Sequence, residues 1–235
     1  MYIRYMKYLY VSCLFLLGVS VYGQDSLKLA ERYYDGEQFL KAKAVLSDYL
    51  LTYPDNLQAR LLLGKVYGHL KDWDQSALTF KDLKNSYTQW ADVYYYYGAA
   101  TAMQAKNGSK LKAIGKLSDI EESFKKSIAL NPNHVEAHWA LVTYYTELPR
   151  LFGGSLNKAK TYAADLLQIS PVDGYLAYGY IYEYDKAYDQ AERNYKMAYK
   201  IGGSKTTFKK LYDLYLTKLN DTEKANQLKQ EFNSK

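Results

Sequence analysis

Small and apolar residues recur along the body of the chain at the spacing of helices that pack against one another. In Leu63-Gly64-Lys65-Val66-Tyr67 and in Tyr178-Gly179-Tyr180-Ile181-Tyr182, a glycine lies among larger residues at helical spacing. Each block is followed by a second helical pattern, Ser76-x-x-x-Phe80 and Ala191-x-x-x-Tyr195. Apolar positions three and four residues apart indicate amphipathic helices. The pattern therefore predicts an all-α chain built from pairs of helices.

The pairs repeat with a period of 34 residues, which is the distance from Ala30 to Gly64. Each repeat has a small residue at its eighth position and another at its twentieth, so that two antiparallel helices can approach closely. These small residues are Ala30, Gly64, Gly98 and Gly179 at the eighth position, and Ala42, Ser76, Ala159 and Ala191 at the twentieth. Proline and glycine mark the ends of the second helices, because proline cannot continue a helix and glycine favours a left-handed cap. The predicted ends are at Pro54, Pro132, Pro171 and Gly202-Gly203.

This arrangement, Leu-Gly-x-x-Tyr followed by Ala-x-x-x-aromatic and a proline over 34 residues, resembles the tetratricopeptide repeat (TPR). The resemblance implies a right-handed α-solenoid of antiparallel helix pairs whose first helices line a concave groove. The stretch containing Gly153-Gly154-Ser155 is similar to a loop in a subgroup of secreted bacterial repeat proteins.

About five repeats are predicted, followed by C-terminal capping helices. Their bounds are 24–56, 57–88, 91–132, 135–171 and 172–203 for the repeats, and 204–235 for the cap. The third and fourth repeats carry extra residues at 105–115 and 148–155. These inserted turns either form a second contact surface or are tolerated loops.

The resemblance also implies which side chains of the first helices face the groove. We expect a partner to contact Lys65, His69, Asp92, Tyr95, Tyr96, Trp139, Thr143, Tyr180, Glu183 and Tyr184. The same register points Gln58, Met103, Glu136, Glu147, Asp173 and Leu176 into the groove. Only Lys65 suits the clamp with which the family holds an acidic peptide terminus. Rings of tyrosine and tryptophan instead favour an extended peptide with apolar or basic side chains.

Tyrosine is the unusual component of the composition, with 28 of 235 residues. Tyr33, Tyr67, Tyr145, Tyr182 and Tyr195 fall at core positions of the repeat, so we expect them to pack inside. The run Tyr94–Tyr97 covers a full helical turn and cannot all be core. We assign Tyr94 and Tyr97 to packing and Tyr95 and Tyr96 to the groove.

The first 23 residues differ from the rest of the chain. Arg4 and Lys7 precede the apolar run 11–21, and small residues stand before Gln24, as in a secretory signal peptide. The run is shorter than the roughly 20 residues that a membrane-spanning helix needs. We therefore expect an exported protein, periplasmic or secreted, with no span in the mature chain; an uncleaved N-terminal anchor is the alternative. Cys13, the single cysteine, lies in this leader, so the mature chain is expected to form no disulfide.

Other classes of function find little support in the sequence. The net charge of +6 suggests nucleic acid, but beyond the leader the lysines are mixed with acidic residues, which is typical of a solvated surface. His134 and His138 lie one helical turn apart without an evident third ligand, so no metal site is predicted. We expect no nucleic-acid partner, no cofactor and no enzymatic activity.

The sequence thus predicts a non-catalytic scaffold or assembly factor that binds an extended peptide or helix of an envelope protein. The alternative is a glycan-binding protein, because exposed tyrosine and tryptophan rings also stack on sugars.

Overall fold

A computed structural model describes residues 25–234 of the chain. Within that range the regular secondary structure is entirely helical, and the all-α prediction is confirmed. The predicted leader and Cys13 lie outside the described residues. Among the described residues, none of the helices is both long and apolar enough to cross a bilayer.

The chain divides into two compact units between Lys116 and Leu117, inside the predicted third repeat. The first unit contains α1 (25–35), α2 (Phe39–Thr52), α3 (Leu57–His69), α4 (Trp73–Ser86), α5 (Ala91–Asn107) and α6 (Lys110–Ile114). The second unit contains α7 (Leu117–Leu130), α8 (Val135–Glu147), α9 (Leu156–Ile169), α10 (Pro171–Tyr184), α11 (Tyr188–Gly202), α12 (Lys205–Thr217) and α13 (Thr222–Asn233). The five-repeat division of the sequence stays a prediction.

Within each unit, short connections return every long helix against its predecessor, so that consecutive helices lie antiparallel. Small residues on the facing surfaces bring the helices together. In unit 1, Ser76 Oγ donates to the carbonyl oxygen of Gly64 at 2.9 Å, and the Phe80 ring lies against the same glycine. In unit 2, the ring of Tyr195 lies directly over Gly179. The small positions of the sequence pattern are therefore helix-crossing points.

The turn between the two helices of a pair has the same backbone in three places. The last residue but one of each turn has a positive φ, which is 55° at Glu37, 60° at Lys71 and 60° at Lys186. The next amide donates to the carbonyl five residues before it, in the 6→1 pattern of a helix C-terminus. These bonds are Gln38 to Tyr33, Asp72 to Tyr67 and Ala187 to Tyr182, at 2.8–2.9 Å. Glu37 and Lys71 are 34 residues apart, so the sequence period is visible in the backbone.

The two inserted turns depart from this geometry. At the first, predicted as an inserted turn at 105–115, α5 continues to Asn107 and the short helix α6 follows. At the second, a turn of 3-10 helix spans Arg150–Phe152, and Ser155 then begins α9 by accepting a hydrogen bond from the amide of Lys158 at 3.3 Å.

The predicted helix ends agree with the structure. Gly203 ends α11 in the left-handed conformation, with φ of 54°. Tyr53 ends α2 immediately before Pro54. Pro171 is the first residue of α10, a position where the backbone N–H has no acceptor within the helix, so that proline is tolerated.

Candidate functional site

In unit 1, the first helices α1, α3 and α5 are joined by polar and aromatic side chains. The Tyr34 hydroxyl lies 3.0 Å from His69 Nε2, which links α1 to α3. The His69 ring is stacked on Phe39 with centroids 4.2 Å apart, although much of it remains exposed. Lys65 Nζ lies 4.7 Å from the centre of the Tyr96 ring, which links α3 to α5.

These contacts form a surface that we call the unit-1 face: Tyr34, Lys65, His69, Tyr95 and Tyr96. Burial raises the pKa of the Tyr34 hydroxyl, and the nearby ammonium of Lys65 partly offsets that rise. The hydroxyl is therefore neutral at physiological pH and can donate. Lys65, predicted as a groove cation, thus lies close to both Tyr34 and Tyr96.

The four consecutive tyrosines of α5 divide as the helix turns. Tyr97 is buried, in agreement with its packing assignment. Tyr96 is stacked on the core residue Phe80 with centroids 5.1 Å apart, and Tyr95 meets Tyr96 edge-on at 5.1 Å. Tyr96 therefore belongs to both the core and the unit-1 face. Asp92 is exposed in the first turn of the same helix.

In unit 2, two pairs of a ring and a carboxylate cross from α8 to α10. Trp139 Nε1 donates to Asp173 Oδ1 at 2.8 Å, and Ser170 Oγ donates to Asp173 Oδ2 at 2.6 Å. The Tyr180 hydroxyl donates to Glu147 Oε1 at 2.6 Å. The hydroxyl of Tyr184 lies 3.5 Å from the Glu147 carbonyl oxygen.

We call this surface the unit-2 face: Trp139, Glu147, Asp173, Tyr180 and Tyr184. Trp139 and Glu147 are eight residues apart on α8, about 12 Å along the helix axis. An extended peptide would need about three to four residues to reach from one pair to the other.

The charge of the unit-2 face is negative. Helices α8 and α10 contain Glu136, Glu147, Asp173 and Glu183, and neither helix contains a lysine or an arginine. Burial raises the pKa of Tyr180, and its hydrogen bond to Glu147 raises it further. The tyrosine therefore remains a neutral donor to this carboxylate. The face can bind a cationic group beside an aromatic ring, where both carboxylate and ring attract it.

Two residues assigned to the groove are engaged elsewhere. Glu183 Oε2 accepts a hydrogen bond from the Tyr195 hydroxyl at 2.8 Å, so this carboxylate is bound to α11. Leu176 is buried in the core of unit 2. Thr143 is half-buried on α8, one helical turn after Trp139. Among the expected residues of unit 2, Tyr180 and Tyr184 both contact Glu147, whereas Trp139 contacts Asp173.

The sequence analysis missed Tyr34 and Glu31 in unit 1. Tyr34 contacts His69, and Glu31 Oε1 accepts from Gln58 Nε2 at 2.5 Å. Counted from Ala30 as the eighth position, they occupy the twelfth and ninth positions of the first repeat. The same register that assigned the other groove residues therefore contained the signal for both.

The two histidines of the fourth repeat are buried and bound to protein groups. His134 Nδ1 accepts from the amide of Ala137 at 3.3 Å and so caps α8. His138 Nε2 lies 2.9 Å from the carbonyl oxygen of Pro132, to which it donates. Within residues 25–234, no three histidine, cysteine or acidic side chains are grouped as metal ligands.

The fold is that of solved TPR proteins. The thermophilic TPR protein TTC0263 of Thermus thermophilus is 17% identical, covers 85% of this chain and 98% of its own, and has a TM-score of 0.67. PilW, described as a widely conserved type IV pilus biogenesis factor, is 16% identical over 90% of this chain and 92% of its own, with a TM-score of 0.67. YrrB, described as a TPR protein with an unusual peptide-binding site, is 17% identical over 77% of this chain and 87% of its own, with a TM-score of 0.52. No protein-family model and no curated protein matches the sequence. At these identities the similarity establishes the fold, and the chain has the α-solenoid fold of helix pairs that the resemblance implied.

Proposed function

We propose that this chain, which has the TPR fold, is an exported, non-catalytic interaction scaffold that binds an extended peptide segment of another protein. The observation that carries the proposal is the unit-2 face, where two ring–carboxylate pairs cross neighbouring first helices that contain no lysine or arginine. Such a surface favours a segment with basic and apolar side chains.

Two solved structures with this fold support a role of this kind. One is described as a pilus biogenesis factor and another as carrying a peptide-binding site. We extend to this chain only the general activity, binding a protein segment during assembly. The leader-like sequence of residues 1–23 supports the proposed export.

A peptide array tests the proposal directly. The full chain is applied to extended peptides that carry paired lysine or arginine residues three or four positions apart, and to matched peptides with glutamate in their place. We expect binding in the micromolar range, about −8 kcal/mol, for the basic peptides only. Tyr184→Ala and Glu147→Gln should each weaken it by about tenfold or more, because the first removes an exposed ring of the unit-2 face and the second removes the carboxylate charge beside it.

A matched variant controls for general loss of aromatic surface. Phe152 is also an exposed ring of unit 2, but it lies in the inserted turn. Its side chain is 40% exposed, compared with 52% for Tyr184. Phe152→Ala should bind the basic peptides as the wild type does. Equal binding of basic and acidic peptides would refute the proposal, and selective binding on a glycan array would favour the glycan-binding alternative.

A further inference from the structure

The inserted turn of unit 1 displays apolar side chains to solvent. Leu111 is 86% exposed and Ile114 is 45% exposed, and no residue of α6 is buried. The two side chains are three residues apart on a helical turn and therefore share one side of it. Exposed apolar residues grouped in this way commonly mark a contact surface.

Basic residues surround these two side chains. The segment contains Lys106, Lys110, Lys112 and Lys116, and the sequence has no acidic residue between Asp92 and Asp119. Three of these lysines, Lys106, Lys110 and Lys112, are exposed. We call α6 with these three lysines the basic tip.

Hydrogen bonds hold the base of the tip against the rest of unit 1. Lys116 Nζ donates to Gln104 Oε1 at 2.7 Å, and Gln104 Nε2 donates to Asp74 Oδ1 at 2.7 Å. The carboxylate of Asp74, at the base of the tip, thus already accepts a hydrogen bond from Gln104. The positive charge of the exposed lysines is left without a carboxylate on their own segment.

We propose that the basic tip docks unit 1 on an anionic phospholipid surface. Two apolar side chains on a single helical turn offer far less than the roughly 800 Å² per partner of a standard protein interface. A lipid surface needs no matching groove, because leucine and isoleucine enter the headgroup region while lysines remain at the phosphates. This membrane contact is separate from the peptide binding proposed for the unit-2 face.

Vesicle cosedimentation tests this inference with the full chain. The probe is a vesicle of equal parts phosphatidylglycerol and phosphatidylcholine, compared with phosphatidylcholine alone. Each lysine near an anionic surface contributes about 1 kcal/mol, so the triple variant K106Q/K110Q/K112Q should bind roughly a hundredfold more weakly. Leu111→Ser should weaken binding by about tenfold, because the inserted side chain is lost. Added salt should weaken binding by the wild type.

Two matched variants separate the tip from general effects. K205Q/K209Q/K210Q removes the same charge from exposed positions of α12, and Leu51→Ser removes a leucine of α2 that is 83% exposed. Both controls should bind as the wild type does. The leader is present in every variant, so it cannot account for a difference between them.

The proposal would be overturned by equal binding to both kinds of vesicle, or by control variants that lose as much as the tip variants. Binding of the wild type to polyglutamate but not to anionic vesicles would also overturn it, in favour of an acidic protein partner. Helical circular dichroism and melting curves of every variant verify that the comparison is made between folded proteins.

Discussion

At the scale of single residues, the abundance of tyrosine has a structural explanation. Tyr145 and Tyr195 are buried, and their hydroxyls donate to the carboxylates of Glu121 and Glu183 at 2.6 and 2.8 Å. The ring fills the crossing between two helices while the hydroxyl reaches a carboxylate on another helix. Phenylalanine would fill the same space but would remove the hydroxyl that donates to the carboxylate. Other core tyrosines are half-buried and lie beneath a lysine ammonium, as Tyr33 beneath Lys41, Tyr67 beneath Lys43 and Tyr182 beneath Lys160.

The contact between Gly179 and Tyr195 gives a prediction at this scale. A Cβ atom on Gly179 would lie 2.3 Å from the Tyr195 ring, whose hydroxyl is held by Glu183. Gly179→Ala should therefore lower the free energy of unfolding by about 2 kcal/mol, in spite of alanine's higher helix propensity. Urea unfolding measures the change.

Gly68 provides the matched control for this substitution. A Cβ atom there would meet its nearest neighbour at 3.7 Å, an ordinary contact. Gly68→Ala should be neutral or stabilise by up to about 1 kcal/mol. If the two variants were equally stable, close packing at Gly179 would not explain the glycine.

At the scale of elements, the inserted turn of unit 2 is closed by its backbone. The amide of Gly154 donates to the Pro149 carbonyl at 3.2 Å, and the amide of Ser155 donates to the Tyr145 carbonyl at 2.8 Å. Gly153 has a φ of 100°, which favours glycine. The turn is thus tightly held although its tip, at Leu151, is exposed.

Gly154 is the position at which this turn is most sensitive to substitution. A Cβ atom there would lie 1.7 Å from the Leu148 carbonyl oxygen, so the backbone would have to move. Gly154→Ala should destabilise the protein by about 2 kcal/mol or more, whereas Leu151→Ser should change stability by less than about 0.5 kcal/mol. Thermal melting of both variants checks the difference. Equal melting temperatures would mean that the turn tolerates change throughout.

At the scale of the whole molecule, the stability of unit 2 should depend on pH through its buried and half-buried carboxyl–tyrosine contacts. Burial alone would raise the pKa of Glu121, but hydrogen bonds from Lys125 and Tyr145 outweigh it and lower the pKa below its ordinary value. The pKa of Glu192 is lowered in the same way by Lys196 and Lys224. A carboxyl group with a lowered pKa in the folded state contributes stability above its unfolded pKa and loses it as pH falls through the folded value.

We therefore expect the free energy of unfolding to fall as the pH drops below about 4.3, the usual value for glutamate. Glu121→Gln should make this dependence less steep, which urea unfolding at a series of pH values will measure.

On the alkaline side, burial is the main cause that raises the pKa of Tyr144 to about 12, and the negative charge of Glu121 adds to it. Stability should hold below pH about 10 and decline as the pH rises from there to 12. A pH profile unchanged by Glu121→Gln would contradict the assignment to this carboxyl.

Much of the fold could be predicted because its signals are local. The 34-residue period, the small crossing residues and the proline and glycine ends are each contained within a few turns of helix. The division of the tyrosine run in α5 also followed from helical periodicity, with Tyr97 inside as expected. The register of the first helices also pointed to Trp139, Tyr180 and Tyr184, whose side chains make contacts between α8 and α10.

The sequence by itself determined the helices, their pairing and the approximate side of each that packs inside, because these depend on spacing along one helix. Only the tertiary structure decided which polar groups meet across helices. The carboxylate of Glu183 binds Tyr195, while that of Glu147 receives Tyr180, although both had been assigned to the groove. These partners lie 12 and 33 residues apart, and a shift of one helix along another would separate them. No local pattern encodes that shift, because the packing of whole side chains at the crossings sets it.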